Sequence, residues 1–183
     1  MTGASPPRPL WPADRDIACV VLCGGKGSRL FPLTIRHQKS MLPVLGRPIL
    51  QHVIDFWRQW ADRFVFVVKH RKLEVEEYVD SLDLRAQCVE PEELTGIADG
   101  IYRARELVGE HFIVVLGDCI CSGTLRFPTQ MDQGIVVWRT DHAEDIRRSY
   151  SVELDGELVR RVVEKPTILP NDLCGTGYYF FDR

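Results

Sequence analysis

The sequence lacks the features that mark several classes of protein. Its 183 residues carry a net charge of −3, so it has no strongly basic footprint of the kind that binds nucleic acid. No apolar run is long enough to span a bilayer, and residues 1–14 lack the apolar core of a signal peptide. These absences favour a cytoplasmic protein without nucleic-acid or membrane partners. Residues 1–14, rich in proline and small side chains, are predicted to form a flexible arm.

The cysteines lack the spacing of a common zinc site. Cys119 and Cys121 are separated by one residue, and no histidine pair accompanies them. Cys19, Cys23 and Cys88 lie in apolar runs, where a free thiol behaves as a small hydrophobe. Reduced thiols in a cytoplasmic protein are therefore the favoured interpretation.

Buried strands and amphipathic helices alternate through the first part of the chain. The strands are predicted at 17–23, 64–68, 85–89 and 111–116, and the helices at 49–61, 73–82 and 97–108. Gly109 follows the last helix as a predicted C-cap. This alternation predicts an α/β fold with a Rossmann-like, doubly wound and mostly parallel sheet.

A β-rich extension follows this alternating part. Strands are predicted at 134–140, 150–154, 158–163 and 178–181, and Asp155-Gly156 is a strong hairpin signal. We expect these strands to be mixed or antiparallel and to continue the same sheet. Residues 15–183 are accordingly predicted to form a single domain.

Three glycines follow the first predicted strand at positions 24, 25 and 27. Glycine allows close approaches that a Cβ would block, and successive N–H groups can form a nest for an anion. Positive charge is supplied nearby by Lys26, Arg29 and Lys39. The run is not a Walker A loop, and it is not the dinucleotide fingerprint because Leu30 stands at the last glycine position.

Five segments form an ordered series of motifs along most of the chain. The first is Gly-Gly-x-Gly-Ser-Arg-Leu-x-Pro-x-Thr at 24–34 with Lys39-x-x-Leu42-Pro43-Val44, and it is followed by 95–101, Leu116-Gly117-Asp118, Val163-Glu164-Lys165-Pro166 and 175–182. The series resembles the signature of the sugar-1-phosphate nucleotidylyltransferases, also called nucleoside-diphosphate-sugar pyrophosphorylases. Five motifs in the right order make chance a poor explanation.

The resemblance implies a reaction and a role for each motif. A phosphate oxygen of a sugar 1-phosphate would attack the α-phosphorus of a nucleoside triphosphate and release pyrophosphate. Arg29 and Lys39 would be the catalytic residues that stabilise the leaving pyrophosphate, and Asp118 would hold Mg²⁺ as the cofactor. The nucleotide would be bound by Leu22, Gly24, Gly25, Lys26, Gly27, Ser28, Gly96 and Asp99. The acceptor would be bound, on the side formed by the β-rich extension, by Glu164, Lys165, Thr176 and Gly177.

Two other functions are compatible with the same motifs. One is a cytidylyltransferase acting on a phosphonate or a phosphocholine-like acceptor, and the other is a non-catalytic module that binds a nucleotide or a sugar phosphate. The family pattern continues past Arg183 and normally takes a second metal-binding aspartate from that part, so the chain is expected to lack the C-terminal part. Ser151 stands where sugar-binding relatives often have glycine, which argues against a sugar pocket of the usual shape. Association into a homo-oligomer is compatible with the sequence.

Overall fold

The computed structural model describes residues 16–93, 95–125 and 132–182. The predicted arm at 1–14 lies outside the described residues. The strands are β1 (Ala18–Leu22), β2 (Pro43–Val44), β3 (Arg47–Pro48), β4 (Arg63–Val67), β5 (Ala86–Val89), β6 (His111–Leu116), β7 (Gln133–Arg139), β8 (Tyr150–Asp155), β9 (Leu158–Glu164) and β10 (Leu173–Asp182). The α-helices are α1 (Ile49–Trp57), α2 (Lys72–Asp80), α3 (Ile97–Ala104) and α4 (Ala143–Arg148).

The first part of the chain forms the parallel half of one large sheet. β1 pairs in parallel with β4 and with β6, and β4 pairs in parallel with β5. Continuous β-branched and apolar runs suit these strands because both of their faces are covered. Ala18 to Val21, for example, are fully buried.

Helices cover this parallel half on both faces. On one face Val21 and Phe66 belong to a core that includes Trp57 of α1, and on the other face Val20 belongs to a core that includes Ala104 of α3. The fold is therefore an α/β doubly wound sheet, as the sequence predicts. Among the described residues, no helix combines the length and the apolar character needed to cross a bilayer.

The β-rich extension continues the same sheet in antiparallel fashion, so the strand order is β5-β4-β1-β6-β10-β8-β9 and β7 also pairs with β10. β10 runs antiparallel to β6, with Tyr179 opposite Val114. It contacts β8 where Cys174 lies opposite Ser151. β8 and β9 form the hairpin predicted at Asp155-Gly156.

Aromatic side chains of β10 belong to the core and not to an exposed stacking platform. The Tyr178 and Phe180 rings lie 5.2 and 6.1 Å from the ring of Trp57, which is fully buried. The Tyr178 hydroxyl donates a hydrogen bond to the carbonyl oxygen of Cys119 at 3.1 Å. β10 is thus packed against both α1 and the turn that follows β6.

Several local predictions differ from the structure: α1 ends at Trp57 and not at 61, β10 begins at Leu173 and not at 178, and α4 was not predicted. α3 ends at Ala104, four residues earlier than expected, and Gly109 is not its cap. The chain after Ala104 forms a tight turn, in which the N–H of Leu107 donates to the carbonyl oxygen of Ala104 at 2.9 Å. Three short 3₁₀ helices, for which the sequence made no prediction, lie at Ser28–Leu30, Leu33–Ile35 and Lys39–Met41.

Gly175 is required by the packing of the Tyr150 ring against β10. A Cβ at Gly175 would lie 1.8 Å from Cε2 of that ring. Because overpacking a fitted contact is destabilising, Gly175→Ala is expected to lower the free energy of unfolding by about 3 kcal/mol, measured by urea denaturation. Adding Tyr150→Leu should recover part of this loss. Equal stability of the Gly175→Ala variant and the wild type would contradict the packing.

Candidate functional site

A cavity of about 350 Å³ opens where the central parallel strands end. Leu22, Val67 and Leu116, the last residues of β1, β4 and β6, all line it. Ligands of open α/β sheets bind at this carboxyl edge. The other lining residues are Cys23, Gly24, Gly25, Gln38, Lys39, Ser40, Gly96, Ile97, Gly100, Gly117 and Asp118.

The turns that follow β1 and β6 touch each other at the base of the cavity. The N–H of Gly117 donates to the carbonyl oxygen of Leu22 at 3.0 Å. A Cβ at Gly117 would lie 2.4 Å from the sulfur of Cys23, so only glycine lets the two turns approach this closely. This contact brings the glycine loop beside Asp118.

The glycine loop folds back on itself and exposes its polar side chains. Gly27 has a φ of +63°, and its carbonyl oxygen accepts a 2.9 Å hydrogen bond from the Thr34 hydroxyl. Gly24 and Gly25 line the cavity. Lys26, Ser28 and Arg29 are exposed beyond the cavity lining.

The two opposite charges predicted for catalysis and for metal binding meet at this cavity. The Lys39 ammonium group is hydrogen-bonded and ion-paired to Oδ2 of Asp118. The two side chains remain 33% and 29% exposed, so both stay within reach of a ligand. Among the described residues, no group of three or more His, Cys, Asp and Glu side chains is arranged to hold a metal ion.

The two cysteines near this ion pair have raised pKa values. Burial raises the pKa of Cys119 to about 12, and the adjacent Asp118 carboxylate acts in the same direction. Burial likewise raises the pKa of Cys23 to about 12. Raised pKa values of this kind keep both thiols protonated at neutral pH, so neither is an activated nucleophile. All six cysteines of the chain are free of disulfides.

The start of α3 forms the opposite wall of the cavity. Gly96 and Gly100 line it, and a Cβ at Gly100 would lie 2.9 Å from Cδ2 of Leu22. Glycine at this position therefore allows the helix to pack closely on the end of β1. Asp99 does not line the cavity, and its Oδ1 instead pairs with Nε of Arg103 at 3.3 Å.

The predicted acceptor residues lie on the antiparallel part of the sheet, outside the cavity lining. Gly177 packs against the lining residue Leu116, since a Cβ at Gly177 would lie 2.6 Å from Cδ1 of that leucine. Thr176 donates to the carbonyl oxygen of Val136 at 2.9 Å. Glu164 and Lys165 are exposed at the end of β9, with their charged groups 3.4 Å apart.

Two of the lining residues carry features that the sequence motifs did not use, and Ser151, outside the lining, is also buried. Gln38 and Ser40 flank Lys39, and their polar side chains are 1% exposed. Ser151, which the sequence marks as a departure, is fully buried, and its hydroxyl has no hydrogen-bond partner among the described residues. No sequence pattern distinguishes Gln38 from an ordinary loop glutamine, so only the fold identifies it. Ser40 likewise carries no distinguishing sequence pattern.

Comparison with known proteins identifies relatives along nearly the whole chain. The model of a protein family described as "Nucleotidyl transferase" matches residues 18–183. A UTP–glucose-1-phosphate uridylyltransferase, AglF, of Haloferax volcanii is 32% identical over 171 residues, which cover 88% of this chain and 70% of the relative. The bifunctional protein GlmU of Methanocaldococcus jannaschii is 30% identical over 165 residues, covering 90% of this chain. The chain spans 40% of the length of that second relative.

A solved structure shares the fold. It is a putative glucose-1-phosphate thymidylyltransferase from Bacillus anthracis in complex with a sucrose, and it superposes with a TM-score of 0.81 at 24% identity. The superposition covers 91% of this chain and 71% of the other. At this level of identity the likeness concerns the fold.

Proposed function

The chain belongs to the nucleotidyl transferase family, and on that basis we propose that it joins a nucleoside triphosphate to a sugar 1-phosphate. The observation that carries the proposal is the Lys39–Asp118 pair at a cavity lined by Gly24 and Gly25. A cation, a carboxylate and glycine backbone together suit a polyphosphate with a divalent counter-ion. The sugar-phosphate acceptor is supported by the uridylyltransferase name of the Haloferax relative.

The proposed reaction is an in-line displacement. A phosphate oxygen of the acceptor forms a bond to the α-phosphorus while the bond from that phosphorus to the bridging oxygen breaks, and pyrophosphate leaves with the electron pair. The attacking phosphate is already ionised at neutral pH, so no general base is needed. The protein contributes positioning and charge neutralisation, with Lys39 and Arg29 acting on the triphosphate.

We propose Asp118 as the protein ligand of Mg²⁺. The donor set fits, because Mg²⁺ is commonly held by one or two carboxylates together with substrate phosphates. When bound, the ion would neutralise phosphate charge and help to orient the triphosphate. Asp118 also fixes the ammonium group of Lys39, so one carboxylate serves both cations of the proposed site.

The two substrates are proposed to occupy different sides of the cavity edge. The base would lie between Leu22 and the start of α3 at Gly96, with Asp99 close to the same helix turn. The other nucleotide contacts would come from the glycine loop. The acceptor would approach from β9 and β10, where Glu164, Lys165, Thr176 and Gly177 lie.

A pyrophosphate-release screen tests this function. The full chain is incubated with each nucleoside triphosphate, Mg²⁺, and a panel of sugar 1-phosphates, phosphonates and phosphocholine. We expect acceptor-dependent pyrophosphate with at least one sugar 1-phosphate. Turnover only of CTP with a phosphonate or phosphocholine would favour the cytidylyltransferase alternative. Calorimetric binding of a nucleotide or a sugar phosphate without any pyrophosphate would overturn catalysis and indicate a binding module.

A further inference from the structure

Gln38, the residue before Lys39, has hydrogen bonds at both its side-chain nitrogen and its side-chain oxygen. Gln38 is a polar residue that is only 1% exposed. Its Nε2 donates to the carbonyl oxygen of Cys23, the residue directly after β1. Its Oε1 accepts from both the backbone N–H and the hydroxyl of Ser40. The residues before and after Lys39 are thereby joined to each other and to the glycine loop.

α2 holds the same segment from the other side. Oε2 of Glu74 accepts a 2.6 Å hydrogen bond from the backbone N–H of Gln38, and Oε1 lies 2.7 Å from Nδ1 of His37. The Arg71 guanidinium donates to the carbonyl oxygen of Ile35. The segment that leads into Lys39 is therefore attached to α2 and to Arg71, the residue before that helix.

The pattern of bonds suits an amide at position 38. The side chain donates to one backbone carbonyl and accepts two hydrogen bonds, and the glutamine amide does both without a charge or a bound proton. A leucine would remove these hydrogen bonds from the carbonyl oxygen of Cys23 and from the backbone N–H and hydroxyl of Ser40, all of which belong to buried residues. A glutamate would set a carboxylate oxygen against the carbonyl oxygen of Cys23, where two acceptors repel each other.

We propose that Gln38, anchored through Glu74, is the positioning residue that sets the Lys39 ammonium group against Asp118 at the cavity. This inference rests on the proposed function, since Lys39 is there the group that acts on the triphosphate. A lysine side chain has several rotatable bonds, and holding its backbone fixed preserves the geometry that the reaction needs. Gln38 itself acts only through Lys39.

A double-mutant cycle on the pyrophosphate-release reaction tests this relation. Gln38→Leu is expected to lower kcat/KM by about 30-fold in the wild-type background, in line with the cost of small misplacements. In a Lys39→Met background the same change should alter kcat/KM by less than about twofold, because the group being positioned is gone. Equal effects of Gln38→Leu in the two backgrounds would overturn the proposal.

The matched control is Gln59→Leu. Gln59 also donates its side-chain amide to a backbone carbonyl, that of Phe56 at 2.7 Å, but it is exposed near the end of α1. Its replacement should leave kcat/KM unchanged. If Gln38→Leu does not fold, Glu74→Gln keeps the shape of the anchor, and it should lower kcat/KM about threefold in the wild-type background alone.

A second measurement does not depend on the proposed function. Acetylation of Lys39 by acetic anhydride is followed by mass spectrometry, with the other four lysines as internal references. In the Gln38→Leu or Glu74→Gln variant, Lys39 should react at least about threefold faster because its pairing with Asp118 is loosened. An unchanged Lys39 rate in a folded variant contradicts the positioning role. If the wild type releases no pyrophosphate but Lys39 reacts as expected, the proposed function fails and the positioning stands.

Discussion

Replacing Lys39 with methionine is expected to lower kcat/KM for pyrophosphate release by about 10³-fold. The ammonium group lies at the cavity and pairs with Asp118, so its loss removes the positive charge that faces the leaving pyrophosphate. Methionine has a similar length and keeps the apolar stem, so the fold should survive. The measurement is a coupled pyrophosphate assay with the triphosphate and acceptor found in the screen.

Lys72→Met serves as the matched control for that variant. The Lys72 ammonium group pairs with Glu76 and Glu90, each at 3.2 Å, on the surface near α2. Exposed pairs of this kind contribute little, so activity and urea midpoint should change only slightly. Activity of the Lys39→Met variant within about tenfold of the wild type would refute the role given to Lys39.

Asp118→Asn is expected to lower kcat by at least about 100-fold while leaving the midpoint of urea unfolding nearly unchanged. The amide has the shape of the carboxylate but lacks the charge that a hard divalent ion and the Lys39 ammonium group both require. The decisive readout is the binding of Mn²⁺, observed by electron paramagnetic resonance in the presence of a nucleoside triphosphate.

The wild type should bind Mn²⁺ with the nucleotide more tightly than the Asp118→Asn variant does. Asp141→Asn, at a residue whose side chain is 94% exposed, is the control and should bind the ion as the wild type does. If the Asp118→Asn variant and the wild type bound Mn²⁺ equally and turned over equally, Asp118 would not be the ligand.

The sequence was most informative where one physical constraint acted alone. Continuous burial on both faces produces runs such as Val20-Val21-Leu22, and these runs predicted the parallel strands. The hairpin at Asp155-Gly156 was also predicted correctly, since that dipeptide favours the required turn. The end of α3 was predicted wrongly. Gly109 suggested a C-cap, but the helix ends at Ala104 and a tight turn follows it.

The candidate site was predicted in part. The glycine loop with Lys39 and the later Asp118 come from distant parts of the chain, and the resemblance to the family assigned them to one site. The structure brings Gly24, Gly25, Lys39 and Asp118 to one cavity, and the roles of all the predicted site residues stay predictions. Gln38 could not be found, since its importance comes from bonds to Cys23, Ser40 and Glu74, which sequence spacing does not encode.

The position of β10 has a consequence for the newly made chain on the ribosome. β10 pairs with β6 in the interior of the sheet, yet it is synthesised long after β6. Until β10 emerges, β6 has an unpaired apolar edge, and the carbonyl oxygen of Cys119 lacks the Tyr178 hydroxyl. A nascent chain stalled before Leu173 therefore exposes a strand edge that other chains or chaperones can bind. The turn carrying Asp118 acquires its final support only when this late strand docks.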